Sequence, residues 1–326
     1  MKLLITGASG KVGQNFLPAF LEVERFADWR LQALCNNRTI AETDRISVVR
    51  GSIADPTVVG RAMEGVTHVL HMAAVKESPS LVIDVAIKGM FNLLESFRAS
   101  PTAQQFILIG GDCAVGHIFQ KYDAPITESM PRRAYPGCYA LTKVLEEVML
   151  EQYQIQYGLN GCCLRAPWIM EKDDFRFALK AGKTQFGGPD WSELLAPAEH
   201  ARLVEEELVP VMMDFEGQPL RRNFVHVSDV VSGIITALAN DATRGELFNI
   251  SMDVAVNYAE VADYLRETRG YKHLEFATPF HSNQLDNSKA RAILRWRPKV
   301  DMHDLIERAW TYARPADDPR RVHYPG

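Results

Sequence analysis

The sequence predicts an α/β fold, a doubly wound parallel sheet with a smaller mixed α/β lobe. Three observations carry that prediction. Short apolar runs alternate with longer amphipathic ones through the first half of the chain, the rhythm of strands joined by crossover helices. The first such run, Leu3 to Thr6, opens directly into a glycine-rich turn and a segment of helical period. The 326 residues are 47% apolar and 24% charged, which supplies a sizeable core and argues against disorder.

Taken in order, strands are expected at Leu3 to Thr6, Leu31 to Leu34, Ser47 to Val49, His68 to Met72, Gln105 to Ile109 and Gly161 to Leu164. Runs this apolar suit strands covered on both faces. Helices are expected to start near Gly10, Pro56, Ser80 and Tyr139. From Leu81 to Leu94 apolar side chains occupy nearly every side of the helix, so one face is expected on the sheet and another on a second subunit of a homodimer. In the helix from Tyr139, Leu141, Val144, Leu145, Val148 and Met149 are expected to face the core, and Glu146, Glu147 and Glu151 the solvent. The alternation stops after Arg165. Residues 166–222 mix proline, glycine and acidic runs around an expected helix from Glu199 to Glu207. Regularity returns with a strand at Phe224 to Val227, a helix at Val230 to Leu238, a strand at Phe248 to Ile250 and a helix at Tyr258 to Arg269. Two short helices are expected between Ser288 and Tyr312.

Composition narrows the function classes. A net charge of −5 offers no positive field to a phosphate backbone, so nucleic acid is not an expected partner. Cys35, Cys113, Cys138, Cys162 and Cys163 are scattered without metal-ligand spacing, as thiols of a reducing compartment are. A cytoplasmic protein without a structural metal is therefore expected. The opening MKLLITGASG is too short for a signal peptide, and no apolar run reaches the roughly 18 residues of a membrane span. Neither export nor a membrane anchor is expected.

The glycine turn reads Gly7-Ala8-Ser9-Gly10-Lys11-Val12-Gly13. Glycines suit a tight turn, a close approach of backbone to pyrophosphate and close packing of helix on strand, and the helix N-terminus then offers free N–H groups to the phosphates. A structural glycine-rich turn is the bland alternative, disfavoured by the position at the first strand-to-helix junction. Tyr139 and Lys143 lie four residues apart, on one face of the expected helix. A neighbouring ammonium stabilises a phenolate, which lets the tyrosine exchange a proton with a substrate hydroxyl while hydride moves to or from nicotinamide.

The TGxxGxxG spacing is joined by His71-Met72-Ala73-Ala74, Tyr139-Ala-Leu-Thr-Lys143, Arg222-Asn-Phe-Val-His226-Val-Ser-Asp229, Asp286-Asn-Ser-Lys289, Trp296 and Pro298. With these motifs the chain resembles the extended short-chain dehydrogenase/reductases, the NAD-dependent epimerase/dehydratase family, over nearly its whole length. The resemblance implies a Rossmann-type cofactor domain in residues 1–165, with a return segment near 223–250. A substrate-binding lobe is then expected from 166–222 plus 251–326. It further implies cofactor contacts from Gly7, Ser9, Gly10, Lys11, Val12, Gly13, Asn36, Arg38, Ser52, Ile53, Ala73, Ala74, Tyr139 and Lys143.

Departures from the family pattern bear on chemistry. Gly111 stands where a serine or threonine orients the substrate oxygen, so Asp112, Cys113 or water is expected to substitute; Asp112 reads equally as a turn acceptor. Ala86 replaces a structural asparagine. Cys35 and Asn36 stand where an acid would bind the ribose of NAD, and Arg38 suits the extra phosphate of NADP or is simply a solvated loop residue. The reading leans to NADP and keeps NAD open. Arg222 matches one diphosphate-binding arginine of the nucleotide-sugar enzymes, whereas the second has no counterpart in Glu275 to Pro279. A small polyol, sugar acid or aldose is therefore the expected substrate, with Tyr139, Lys143 and Asp112 catalytic and Asp112, Cys113, Arg165, Trp168 and Arg222 contacting it. Structural salt bridges are the alternative for Arg165 and Arg222. Trp168, Trp191 and Phe175 are expected in the pocket or in the core of the small lobe, His226 in packing rather than proton transfer, and Cys138 as a buried thiol. The rival functions are a nucleotide-sugar epimerase and a non-catalytic dinucleotide sensor, the latter motivated by Gly111 and Ala86.

Overall fold

A computed structural model describes residues 1–181 and 191–318. The first half alternates as β1 (Lys2–Thr6), α1 (Lys11–Leu21), β2 (Arg30–Cys35), β3 (Ile46–Arg50), α2 (Pro56–Ala62), β4 (His68–His71), α3 (Pro79–Val82), α4 (Gly89–Ala99), β5 (Gln105–Gly111), α5 (Cys138–Tyr157) and β6 (Gly161–Ala166). The second half adds β7 (Trp168–Met170), α6 (Asp174–Ala178), α7 (Trp191–Leu194), α8 (Pro197–Glu205), β8 (Val209–Met213), β9 (Arg221–Arg222) and β10 (Phe224–His226). It continues through α9 (Val227–Ala237), β11 (Glu246–Asn249), β12 (Val256–Asn257), α10 (Tyr258–Arg269), β13 (His273–Ala277) and α11 (Met302–Thr311). Residues 319–326, the end of the expected second lobe, lie outside the described residues.

The seven-stranded parallel sheet has the order β11-β6-β5-β4-β1-β2-β3. It is the Rossmann-type sheet that the alternation predicts. After β3 the chain returns to place β4 on the free side of β1, so the loops leaving β1 and β4 part and open a crevice at the carboxyl ends of the strands. Strand period decides what covers each face. Leu3 and Ile5 of β1 join Phe16 and Phe20 of α1 and Ile234 of α9 on one side. Leu4 joins Val59 of α2, Leu93 of α4 and Leu150 of α5 on the other. A separate core holds Phe175, Trp191, Val211, Phe224, Leu265 and Ile306, beneath three two-stranded ribbons.

The structure departs from the sequence reading at particular elements. The strand at Phe224 does not enter the main sheet; β10 pairs with β7, and only β11 of that stretch joins β6. α9 begins at Val227, ahead of the expected Val230, because the His226 side chain accepts from the Ser228 amide and caps it. The helical stretch from Pro79 to Ala99 widens into a π-helical turn over Ile83–Lys88, a local expansion that apolar spacing does not report. In α5 part of the expected orientation is reversed: Glu146 and Glu147 are buried, while Leu141 is 50% exposed; Met149 packs on the core and Glu151 reaches solvent, as expected. The face of α5 turned to β5 and β6 carries ion pairs, Lys143 with Glu146 at 2.7 Å and Arg165 with Glu147 at 2.8 Å. Leu81, Ile83 and Phe91 on the neighbouring helical stretch are also about half exposed. Among the described residues no helix is long and apolar enough to cross a membrane.

Candidate functional site

A cavity of about 460 Å³ lies over the carboxyl ends of the central strands. Its floor is the glycine loop. Gly7 has φ +74°, a left-handed conformation that favours glycine, and a Cβ there would come within 2.8 Å of the Met72 and Ala73 backbone. At Gly13 a Cβ would come within 2.6 Å of the Ala8 carbonyl carbon, so glycine sets how closely α1 packs on the loop. Gly13 itself is not on the cavity wall, whereas Gly7, Ser9, Gly10, Lys11 and Val12 are. No side chain caps α1 at Gly10, leaving the first amides of the helix directed at whatever occupies the loop. A backbone cradle closed to side chains, ahead of an uncapped helix, fits a dinucleotide pyrophosphate. Asn36, Arg38, Ser52, Ile53, Ala73 and Ala74 line the same cavity.

Tyr139 and Lys143 face this cavity from the first turns of α5. Lys143 donates to the Ile109 carbonyl at 3.2 Å and to Glu146 at 2.7 Å, which fixes its stem against β5. Burial works against its charge, but Glu146 and Tyr139 hold it above the ordinary lysine range. Two cavity residues that the sequence reading missed surround the tyrosine. The Lys76 ammonium sits 3.8 Å from the Tyr139 ring centroid. Glu77 accepts from the Cys138 amide at 2.9 Å and from the Tyr139 amide at 3.4 Å, capping α5 from another loop. Cys138, expected to be buried, is partly exposed because its thiol reaches out to Glu77 at 3.1 Å.

Gly111 acquires a steric explanation. A Cβ at Gly111 would stand 2.9 Å from the Cys113 sulfur, so that sulfur already fills the space a side chain at 111 would need. Cys113 lines the cavity, and burial, with Asp112 beside it, pushes its thiol up to about 12. It stays protonated near neutral pH. Asp112 is bonded at 2.7 Å to Nδ1 of His117, whose Nε2 accepts from Nε of Arg222 at 2.9 Å. The Arg222 guanidinium carbon lies over the Trp168 ring, 3.8 Å from its centroid, and all four side chains line the cavity. His117 is absent from the sequence-predicted site residues.

Not every candidate reaches the cavity. Arg165 is fully buried beside it, with Nε and a terminal nitrogen on the two oxygens of Glu147 at 2.9 and 2.8 Å. The structural alternative therefore describes Arg165. Trp191 and Phe175 belong to the core of the second lobe. Lys11 spans from the glycine loop to that lobe, donating to the Ile169 carbonyl at 2.9 Å and to Asp174 at 2.6 Å. His226 is lowered to about 4, chiefly by burial, and bonds Ser228 at 2.7 Å. Asp229 accepts from the Lys299 and Val300 amides at 3.0 Å, and Trp296 donates to the Asp229 carbonyl, so these late motif residues clamp the chain rather than enter the site.

Residues 3–251 match the model of the NAD dependent epimerase/dehydratase family. The UDP-glucose 4-epimerase of Mycolicibacterium smegmatis is 26% identical over 332 residues, covering 96% of this chain and 99% of that protein. The uronate dehydrogenase of Pseudomonas syringae is 27% identical over 169 residues, covering 50% of this chain and 58% of that protein. The crystal structure of a short-chain dehydrogenase/reductase superfamily protein from Agrobacterium tumefaciens with bound NAD superposes with a TM-score of 0.77 at 20% identity, covering 96% of this chain and 97% of that one.

Proposed function

The chain belongs to the NAD dependent epimerase/dehydratase family, and from that premise we propose an NAD(P)-dependent oxidoreductase acting on a secondary alcohol, ketone or hemiacetal of a small sugar, sugar acid or polyol. A bound nicotinamide dinucleotide supplies the hydride acceptor or donor. Tyr139 exchanges the alcohol proton through its hydroxyl. Lys143, fixed between the Ile109 carbonyl and Glu146, contributes positive charge that favours the phenolate. Cys113, protonated on the wall beside Gly111, serves as the donor to the substrate oxygen. At the end of β2, Cys35 and Asn36 stand where an acid would bind the ribose of NAD, and Arg38 lines the same cavity as a partner for the extra phosphate of NADP, which favours NADP and keeps NAD open.

One observation carries this reading. Tyr139 and Lys143 share a cavity with the glycine loop, and beyond Arg38 the arginine among the described lining residues is Arg222 alone. One guanidinium is a weak clamp for a diphosphate. The rival reading, a nucleotide-sugar epimerase, draws on the nearly full-length likeness to the UDP-glucose 4-epimerase. The test follows nicotinamide absorbance with NAD and NADP separately, across free sugars, sugar acids, polyols and UDP-sugars. Net reduction with the small substrates is expected. Inversion of a UDP-sugar without net reduction establishes the rival, and cofactor binding without any turnover returns the sensor reading.

The half-exposed Leu81, Ile83, Phe91 and Leu141 form the surface proposed to meet a second copy. Size-exclusion chromatography with light scattering is expected to give a dimer, and Phe91→Glu combined with Leu141→Glu a monomer. A wild-type monomer would remove the homodimer from the reading.

A further inference from the structure

We propose that the site selects a carboxylate-bearing substrate, a sugar acid, and seats its carboxylate on Arg222. The proposal rests on the oxidoreductase reading and narrows it. Arg222 is 5% exposed yet lines the cavity. Its Nε donates to Nε2 of His117 at 2.9 Å. Because a guanidinium only donates, Nε2 must be the accepting nitrogen, and the imidazole proton lies on Nδ1, directed at Asp112 at 2.7 Å. The Tyr258 phenol stands close enough to the same guanidinium to favour its charge, and the guanidinium carbon lies 3.8 Å from the Trp168 ring centroid. The side chain is thus held in one orientation before any ligand arrives.

What it lacks is a counter-ion. Among the described residues no carboxylate stands within 4.0 Å of Arg222. Asp112 reaches it only through His117, which burial keeps below the ordinary histidine range and hence uncharged, despite the pull of Asp112. Arg165 shows the contrast, an equally buried guanidinium gripped by both oxygens of Glu147. A buried cation is stable when an anion compensates it, and Arg222, with no carboxylate in contact, borders the cavity. Two other cavity cations already have a carboxylate in contact, Lys143 with Glu146 at 2.7 Å and Lys11 with Asp174 at 2.6 Å.

The backbone supplies an independent observation. His117 has φ +49°, the left-handed region that a non-glycine residue adopts at a cost. Asn283 holds it there by donating to the His117 carbonyl, and Asn283 is itself bonded by Asn223 at 2.7 Å, the residue next to Arg222. Strain is maintained at the residue that aims the guanidinium.

The test compares galacturonate and gluconate with galactose and glucitol, and with UDP-glucose, by nicotinamide reduction. Binding of each is measured separately from tryptophan fluorescence, to which Trp168 responds because it stacks on Arg222. The acids are expected to be preferred. Arg222→Met is expected to raise KM for the acids about thirtyfold or more, the scale of a lost charge-assisted contact, and Arg222→Lys to recover part of that. Equal turnover of acids and neutral sugars, an unchanged KM for the acids in Arg222→Met, or UDP-glucose binding in place of the acids each overturn the proposal. The wild-type panel decides the matter even if Arg222→Met does not fold. Acids that bind wild type but not Arg222→Met, with no cofactor reduction, uphold the carboxylate site and refute the oxidoreductase reading. Reduction by neutral sugars alone does the opposite.

Discussion

Tyr139→Phe loses at least about a hundredfold in turnover, the scale of general acid/base catalysis, while dinucleotide affinity changes little. The substitution removes one hydroxyl and keeps the ring on which Lys76 rests at 3.8 Å. It leaves the backbone of α5 capped by Glu77 and the Lys143–Glu146 pair intact, because neither contact involves the phenol oxygen. Gly7, Gly10 and the open amides of α1 are elsewhere on the cavity wall, so the expected cofactor seat is unaltered. Nicotinamide absorbance measures the turnover, and titration of the cofactor against protein fluorescence measures the affinity. A variant that retains more than about a tenth of wild-type turnover removes Tyr139 from the role of general acid and base. A variant that loses cofactor binding instead makes the tyrosine a structural support for the dinucleotide.

The parts of the site that were legible in the sequence are those set by local spacing. Gly7, Gly10 and Gly13 mark a strand-to-helix junction, and a helix turn brings Tyr139 and Lys143 onto one face. Both sets report their neighbours through the next few residues. The relay from Asp112 through His117 to Arg222 was not legible as a unit, because Arg222 arrives on β9 from the far end of the second lobe and nothing in local sequence ties it to His117. Lys76 and Glu77 were missed for the same reason, since their partners on α5 are set by how two loops meet. The orientation of α5 failed on a different principle. Amphipathic spacing ranks Glu146 and Glu147 as solvent-facing, and only the buried Lys143 one turn away on α5 and Arg165 opposite on β6 make the interior acceptable. Among the short strands, β9 and β12 have two residues each, too few for a period to register.

That inverted face makes the second large prediction one of stability. Glu147→Met is expected to destabilise the protein by about 3–5 kcal/mol, because it strips the counter-ion from a buried guanidinium. The Arg165 and Glu147 side chains are each 1% exposed, and Arg132 adds a contact to the same carboxylate at 3.0 Å. Without Glu147 the hydrogen-bond acceptor left to the Arg165 side chain among the described residues is the Asn249 oxygen at 3.5 Å, a poor substitute for two short charge-assisted bonds. For a chain of this size such a loss corresponds to a Tm lower by roughly 4–7 °C. Glu147→Met combined with Arg165→Met is expected to recover most of it, since an apolar pair of similar volume carries no uncompensated charge. Thermal unfolding of wild type, both single variants and the double variant closes the cycle. Additive losses would mean that the pair is not coupled and that packing alone holds β6 against α5. The coupling matters to the site because Arg165 lies on β6 just before Ala166, Pro167 and Trp168, which form the cavity wall. A guanidinium forced to seek water would pull that strand end outward and take with it the indole on which Arg222 is stacked.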